Sequence, residues 1–198
     1  TSFMLFYATG IIPMTTYNSM QQAVMKAVSS NRGLLSYPPV TLIDAVIAKF
    51  LLNTLTSGVV AAVLFSSIIL YDGLYVTLSP GPLVAGFLLA ALLGLGVGSV
   101  NCVLTGFFPT WRNIWAVITR PLFILSGVFF LYESVPPGFQ HILWWNPLVH
   151  VIGLLRAGIF ATYQADFVSY PYILGVSLGL FAVGGWLMRR HAAWLIEQ

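Results

Sequence analysis

The chain has 198 residues, of which 59% are hydrophobic and only 7% charged, with a net charge of +3. A soluble domain carries about 25% charged residues, and the mean hydropathy here is +0.91, so lipid must be the solvent for most of the surface and the chain reads as an all-α polytopic membrane protein. The positive charge lies in loops and forms no basic patch with interleaved aromatics, which argues against a nucleic-acid surface; one cysteine, Cys102, rules out an internal disulfide and a cysteine-based metal site.

Five apolar blocks can be measured against the roughly 20 residues that a membrane-crossing helix needs. The first, Phe3–Ser30, opens apolar (FMLFYATGII) and closes polar (TTYNSMQQAVMKAVSS). It predicts one long helix whose second half leaves the bilayer, with a kink at Pro13. The second block is Ala45–Tyr71, the third Leu83–Phe107, the fourth Ile114–Tyr132 and the fifth Tyr172–Met188. In the third, Gly86, Ala90, Gly94, Gly98, Cys102 and Gly106 recur every fourth residue, and Gly175 and Gly179 repeat the spacing in the fifth. Small residues so spaced let helix backbones approach closely, and internal packing is their expected use.

Between the fourth and fifth blocks lies a further apolar stretch, 136–160. Asn146-Pro147 interrupts it, because Asn suits a helix cap and Pro the first turn. Two short helices result, the second with His150 and Arg156 beside an apolar face of Leu148, Val151, Ile152, Leu155 and Ile159. A re-entrant or interfacial outer hairpin fits better than a span. Five spans then put Lys26, Arg32, Lys49, Arg112, Arg189 and Arg190 on one side, and Arg156, Asp72, Glu133 and Asp166 on the other. Lys and Arg mark the cytoplasmic side, so the C-terminus is expected in the cytoplasm and the first residue outside. An apolar helix starting outside at Thr1 leads us to expect a preceding span.

The sequence holds no phosphate-binding G-x-x-x-x-G-K-[ST] loop. If ATP drives this protein, another chain binds it with its magnesium. Glu133, His141 and His150 match no ligand or acid–base spacing. Inside the spans there is no acid; Lys49 can snorkel to the inner interface, and Arg120 either does the same or lines a polar cavity. The inner loop, 29–44, has a turn signal at Asn31-Arg32-Gly33, a bend at Pro38-Pro39 and a helix start at Thr41-x-x-Asp44. Leu34, Leu35 and Tyr37 would form an exposed apolar knob, which suggests a docking surface.

Three stretches carry a resemblance: SSNRGLLSYPPVTLIDAVIAKFLLN (29–53), FPTWRNIWAVITRPLFILSGVFF (108–130) and SVPPGFQHILWWNPLVHVIGLLRAGIF (134–160). They resemble the membrane subunits of type-2 ABC exporters, most of all the capsular polysaccharide export permeases of Gram-negative bacteria, whose relatives export O-antigen or teichoic acid. The NR-x-LL-x-(Y/F)-P loop and the W-x-NP-L hairpin are its most specific parts, and it covers essentially the whole of 1–198. The family fold implies six spans per subunit, so Phe3–Ser30 would match the second and the first would be missing. It also implies a homodimer on two ATP-binding subunits in the bacterial inner membrane, a coupling loop and a re-entrant hairpin before the last span. The substrate implied is a lipid-linked capsular polysaccharide, with a periplasmic export adaptor as a further partner.

On that resemblance Asn31, Arg32, Leu34, Leu35, Tyr37, Pro38 and Asp44 would couple to the ATPase. Phe3, Phe6, Tyr7, Arg120, Phe129, Phe130 and Tyr132 would line the path, since aromatic rings can contact sugar faces. Trp144, Trp145, His150 and Arg156 would form an outer gate. The alternatives are another substrate of the same family (O-antigen, teichoic acid or a small drug) and, more distantly, a membrane-embedded lipid-modifying enzyme centred on Glu133, His141 and His150.

Overall fold

The structure is a computed structural model and describes residues 3–31, 33, 39–73 and 78–197. Every regular element among them is helical. Helix α1 is Phe3–Met25, α2 Ala27–Ser30, α3 Leu42–Asp72, α4 Pro80–Phe107 and α5 Trp111–Leu125. A short 3-10 turn, Tyr132–Ser134, precedes α6, Pro137–Trp144, and α7, Pro147–Ile159; α8, Tyr170–Arg190, and α9, Ala192–Glu197, follow.

Local chemistry sets several of these boundaries. α3 begins at a capping box: the Asp44 backbone N–H donates to Thr41 Oγ1 at 3.2 Å and the Thr41 N–H donates to Asp44 Oδ2 at 2.9 Å. α7 begins where Asn146 Oδ1 accepts the Leu148 N–H at 3.1 Å with Pro147 in the first turn. The α6–α7 pair is bent by 100° at that break. α5 ends early. Its 15 residues give about 22 Å of helix, after which Gly127 turns the chain at φ 77, a left-handed conformation that suits glycine.

Helices α3, α4 and α8 are each long and apolar enough to cross a membrane. α4 is the centre of the bundle, packed by α1, α7 and α8. One buried cluster joins Met20 and Val24 of α1 to Leu42 and Val46 of α3, Cys102 of α4 and Met188 of α8. A second joins Leu5 and Ile12 of α1 to Ala61 and Phe65 of α3, Leu89 of α4 and Ile173 of α8. Hence α1, α4 and α8 run in one direction and α3 runs against them. The segment between α4 and α8 must therefore make one net passage from the first end of the bundle to the second. α5 starts that passage with Trp111 bonded to Asn101 of α4, and it finishes near Phe129, whose ring meets Tyr7 of α1. The α6–α7 hairpin then lies at the second end.

The polar half of the first block packs within the bundle: Tyr17, Met20, Gln21 and Val24 are buried against α4, and the helix breaks at Lys26. One expectation is corrected here. The small residues at 175 and 179 do not pack internally, since a Cβ added at either meets nothing within 4 Å. In α4, by contrast, Gly94 and Gly98 lie directly on the α1 backbone.

Candidate functional site

A cleft of about 700 Å³ opens between α1 and α5. α1 contributes the amides Asn18, Gln21 and Gln22 and, just past its end, Lys26; α5 contributes Arg112 and Arg120; Trp115, Phe123 and Phe129 supply rings. Arg112 and Arg120 are eight residues apart, about two turns or 12 Å along one helix face. No carboxylate is among the described lining residues. Trp115 Nε1–H donates to Gln21 Oε1 at 3.0 Å and ties the two walls together. Asn18 Oδ1 is buried without a donor, so one acceptor in the wall is unused. None of the α5 residues is buried.

The charges segregate by end. Lys26, Lys49, Arg112, Arg189 and Arg190 belong to the end where α1 finishes and α3 starts; Asp72, Glu133 and Asp166 belong to the other. At the first end, Asn31 Nδ2 donates to Ala27 O at 2.8 Å, and Asn31, Asp44 and Lys49 line one pocket of about 340 Å³. Hydrogen bonds from Thr41 hold the Asp44 carboxylate ready to accept. Arg32, Leu34, Leu35, Tyr37 and Pro38 lie outside the described residues.

The expected path residues divide. Phe3, Phe6, Tyr7 and Phe129 form a chain of ring contacts, 4.5 Å for Phe3–Tyr7, 5.8 Å for Phe6–Tyr7 and 5.9 Å for Tyr7–Phe129. Phe129 also lines the cleft with Arg120. Phe130 is tied instead by its carbonyl to Arg156, at 2.9 Å. Tyr132 stands apart: it stacks on Phe167 at 4.2 Å and donates its hydroxyl to Gln140 O at 3.1 Å. Sequence reasoning missed Asn18, Gln21, Gln22 and Trp115. The signal was present in the polar run TTYNSMQQ, whose Asn18, Gln21 and Gln22 line the cleft.

The hairpin, expected to be re-entrant or interfacial, buries its two polar residues of α7. His150 is 0% exposed and Arg156 2%, because α7 is buried on nearly every face. His150 Nε2 bonds Trp144 O at 2.7 Å, and its Nδ1 accepts the Ser169 N–H at 3.3 Å. Arg156 donates to Phe130 O at 2.9 Å and Val128 O at 3.0 Å, under the Phe6 ring at 4.3 Å. Trp144 stacks on Tyr172 at 5.0 Å and donates to Phe167 O at 3.1 Å, whereas Trp145 is 61% exposed. Among the described residues, no group of three or more His, Cys, Asp or Glu gathers for a metal, and Glu133 is bonded to Tyr163, not to either histidine.

A helical bundle spanning a membrane, with a polar cleft on one wall and a broken helical pair before the last span, is the architecture of a transport permease. Residues 2–160 match the ABC-2 type transporter family, and the chain belongs to it. It is 32% identical over 184 residues to the polysialic acid transport protein KpsM of Escherichia coli, covering 92% of this chain and 71% of that one. Similarity extends to the capsule polysaccharide export inner-membrane protein CtrC of Neisseria meningitidis serogroup A, 26% identical over 179 residues, 90% of this chain and 68% of that one. The capsule polysaccharide export inner-membrane protein BexB of Haemophilus influenzae is 21% identical over 179 residues, with the same shares of 90% and 68%.

Proposed function

We propose that this chain is the permease subunit of an ATP-driven exporter that moves a lipid-linked capsular polysaccharide across the bacterial inner membrane. The carrying observation is the α1–α5 cleft. No acid is among its described lining residues, so an anionic head group or acidic sugar meets its cations without a competing carboxylate in that lining. The amides offer hydrogen bonds to sugar hydroxyls, and Trp115, Phe123 and Phe129 offer flat apolar faces. Relatives named for polysialic acid transport and capsule polysaccharide export support the same substrate class.

In this reading the Lys/Arg-rich end is cytoplasmic, and the C-terminus with it. Two copies enclose the pathway, with α5 facing the partner across the cleft. Two ATP-binding subunits carry ATP and magnesium and push on the 29–44 loop, where Asn31, Arg32, Leu34, Leu35, Tyr37, Pro38 and Asp44 receive the motion. A periplasmic adaptor receives the polymer. The test is ATP turnover of the purified permease–ATPase complex in lipid, with and without glycolipid. Glycolipid should stimulate the wild type. Reversing charge in Arg120→Glu should weaken that stimulation about tenfold or more while leaving assembly intact. Full stimulation of the variant would remove the cleft from the mechanism.

A further inference from the structure

At the opposite end of the bundle lies a second pocket, of about 370 Å³, between the start of α1 and the end of α7. It is lined by Phe3, Phe6, Leu131, Phe160 and Tyr163, with the exposed Thr162 and the buried Arg156 completing the lining. Among the described lining residues, Arg156 is the one that carries a charge. Its terminal nitrogens are used on the carbonyls of Phe130 and Val128, but Nε–H, also buried, meets no acceptor. Glu133 is close enough to act on it through space, yet that carboxylate takes the Tyr163 hydroxyl at 3.0 and 3.3 Å. A guanidinium with 2% exposure is thus bonded directly to two neutral carbonyls, with Glu133 acting on it only through space. Burying a cation is costly unless an anion compensates it well, and the Nε–H has no partner to offset its own desolvation.

We infer that this pocket binds the carboxylate of an acidic sugar unit. The Arg156 guanidinium that lines the pocket supplies the charge for the carboxylate, and the rings of Phe6, Phe160 and Tyr163 offer apolar walls to the sugar face. The volume is at the small end for ligand sites and suits one sugar unit. The inference rests on the polysaccharide reading above only for the source of the sugar. The pocket is then an outer station for the polymer, joined to the α1–α5 cleft by the ring contacts from Phe3 through Tyr7 to Phe129.

The experiment is saturation-transfer NMR on the purified protein in lipid nanodiscs, with sodium glucuronate, glucose and glycerol 3-phosphate as probes. Glucuronate should bind and glucose should not. Thr162→Glu puts a carboxylate in the lining without replacing Arg156, and it should weaken glucuronate binding about tenfold relative to the neutral Thr162→Gln. Arg156→Gln should abolish binding; if it fails to fold, the Thr162 pair still decides. Equal signals from glucose and glucuronate would overturn the inference. So would equal binding by Thr162→Glu and Thr162→Gln, or displacement of glucuronate by an equal concentration of glycerol 3-phosphate. Glucuronate binding in a protein whose ATPase ignores glycolipid would leave the pocket standing and sink the export reading. Stimulated turnover without glucuronate binding would do the reverse.

Discussion

Four glycines of similar spacing should behave in opposite ways when changed to alanine. A Cβ at Gly94 would lie 2.7 Å from Met20 Cβ and 2.8 Å from Tyr17 O; at Gly98, 2.8 Å from Val24 Cβ and 2.9 Å from Gln21 O. In each case one of the neighbours is α1 backbone, which cannot rotate aside, so the helices must part. Overpacking of this kind costs about 1–3 kcal/mol, against a gain of about 1 kcal/mol from replacing Gly by Ala within a helix. Separating α1 from α4 also loosens the buried clusters on either side. We expect Gly94→Ala and Gly98→Ala each to lose a net ~1–2 kcal/mol. At Gly175 and Gly179 the new Cβ meets nothing within 4 Å, so only the propensity gain acts and both variants should equal or exceed the wild type. The assay is thermal unfolding of the purified protein in one detergent, at one lipid-to-protein ratio. Stability of Gly94→Ala matching the wild type, or a loss at Gly179→Ala as large as at Gly94→Ala, would refute the assignment of α4 as the helix that α1 packs against.

Cys102 is buried, so in a Cys102→Ser background Gly138→Cys should react with an impermeant thiol reagent applied outside intact cells and Arg190→Cys should not; labelling at position 190 would invert the orientation. Thr41→Ala removes the capping box at the start of α3 and should cost about 1 kcal/mol in thermal stability; no loss would mean that the cap is not formed. Tyr37→Ala and Leu35→Ala should lower export and ATPase co-purification with membrane insertion unchanged, and wild-type export by both would remove the loop from coupling. Burial, and then the Glu133 carboxylate, hold the Tyr163 phenol above its ordinary pKa. The folded protein therefore keeps that proton more tightly than the unfolded chain. The stability this gives is complete below the unfolded value near 10 and falls as pH rises through the folded one. Tyr163→Phe should flatten stability against pH above about 10, and an unchanged slope would refute the coupling.

The apolar blocks of α3, α4 and α8 were legible because a lipid solvent leaves continuous hydrophobicity as their signature. The break at Asn146-Pro147 and the start at Thr41-x-x-Asp44 were legible because capping chemistry is local. Other features were not, because they depend on what lies opposite. Hydropathy gives no warning that the fourth block stops at Leu125: SGVFF is as apolar as the helix before it, and the turn at Gly127 is held by Arg156, 28 residues on. Small residues every fourth position read alike in α4 and α8, yet only α4 has a helix lying on those positions. Arg112, Arg120 and the amides of α1 form one cleft only once α5 folds back beside α1.

The polar residues of the hairpin are explained by the backbone around them. At membrane depth a non-helical peptide group must find its partner within the protein. The chain is non-helical at 126–131, at Trp145 and Asn146, and at 160–169. Each stretch is bound by a side chain from elsewhere: Arg156 takes the carbonyls of Val128 and Phe130, Asn146 Nδ2 that of Leu125 at 3.3 Å, and Tyr172 that of Trp145 at 2.6 Å. Trp144 Nε1 takes the carbonyl of Phe167, and His150 takes the N–H of Ser169. The two tryptophans must therefore differ. Trp144→Phe keeps the ring but orphans the Phe167 carbonyl, at a cost of about 1–3 kcal/mol, and Trp144→Ala loses the stacking on Tyr172 as well. Trp145 offers its backbone to Tyr172, and its indole, 61% exposed, keeps only edge contacts with Trp144 at 5.6 Å and Tyr172 at 6.2 Å, so Trp145→Ala should cost about 0.5–1.5 kcal/mol, less than Trp144→Ala. An export defect in Trp145→Ala with the hairpin still folded would then report contact with the polymer, while a defect in Trp144→Ala would report the hairpin's own integrity. Equal destabilisation by Trp145→Ala and Trp144→Ala in the same unfolding assay would refute this division of roles.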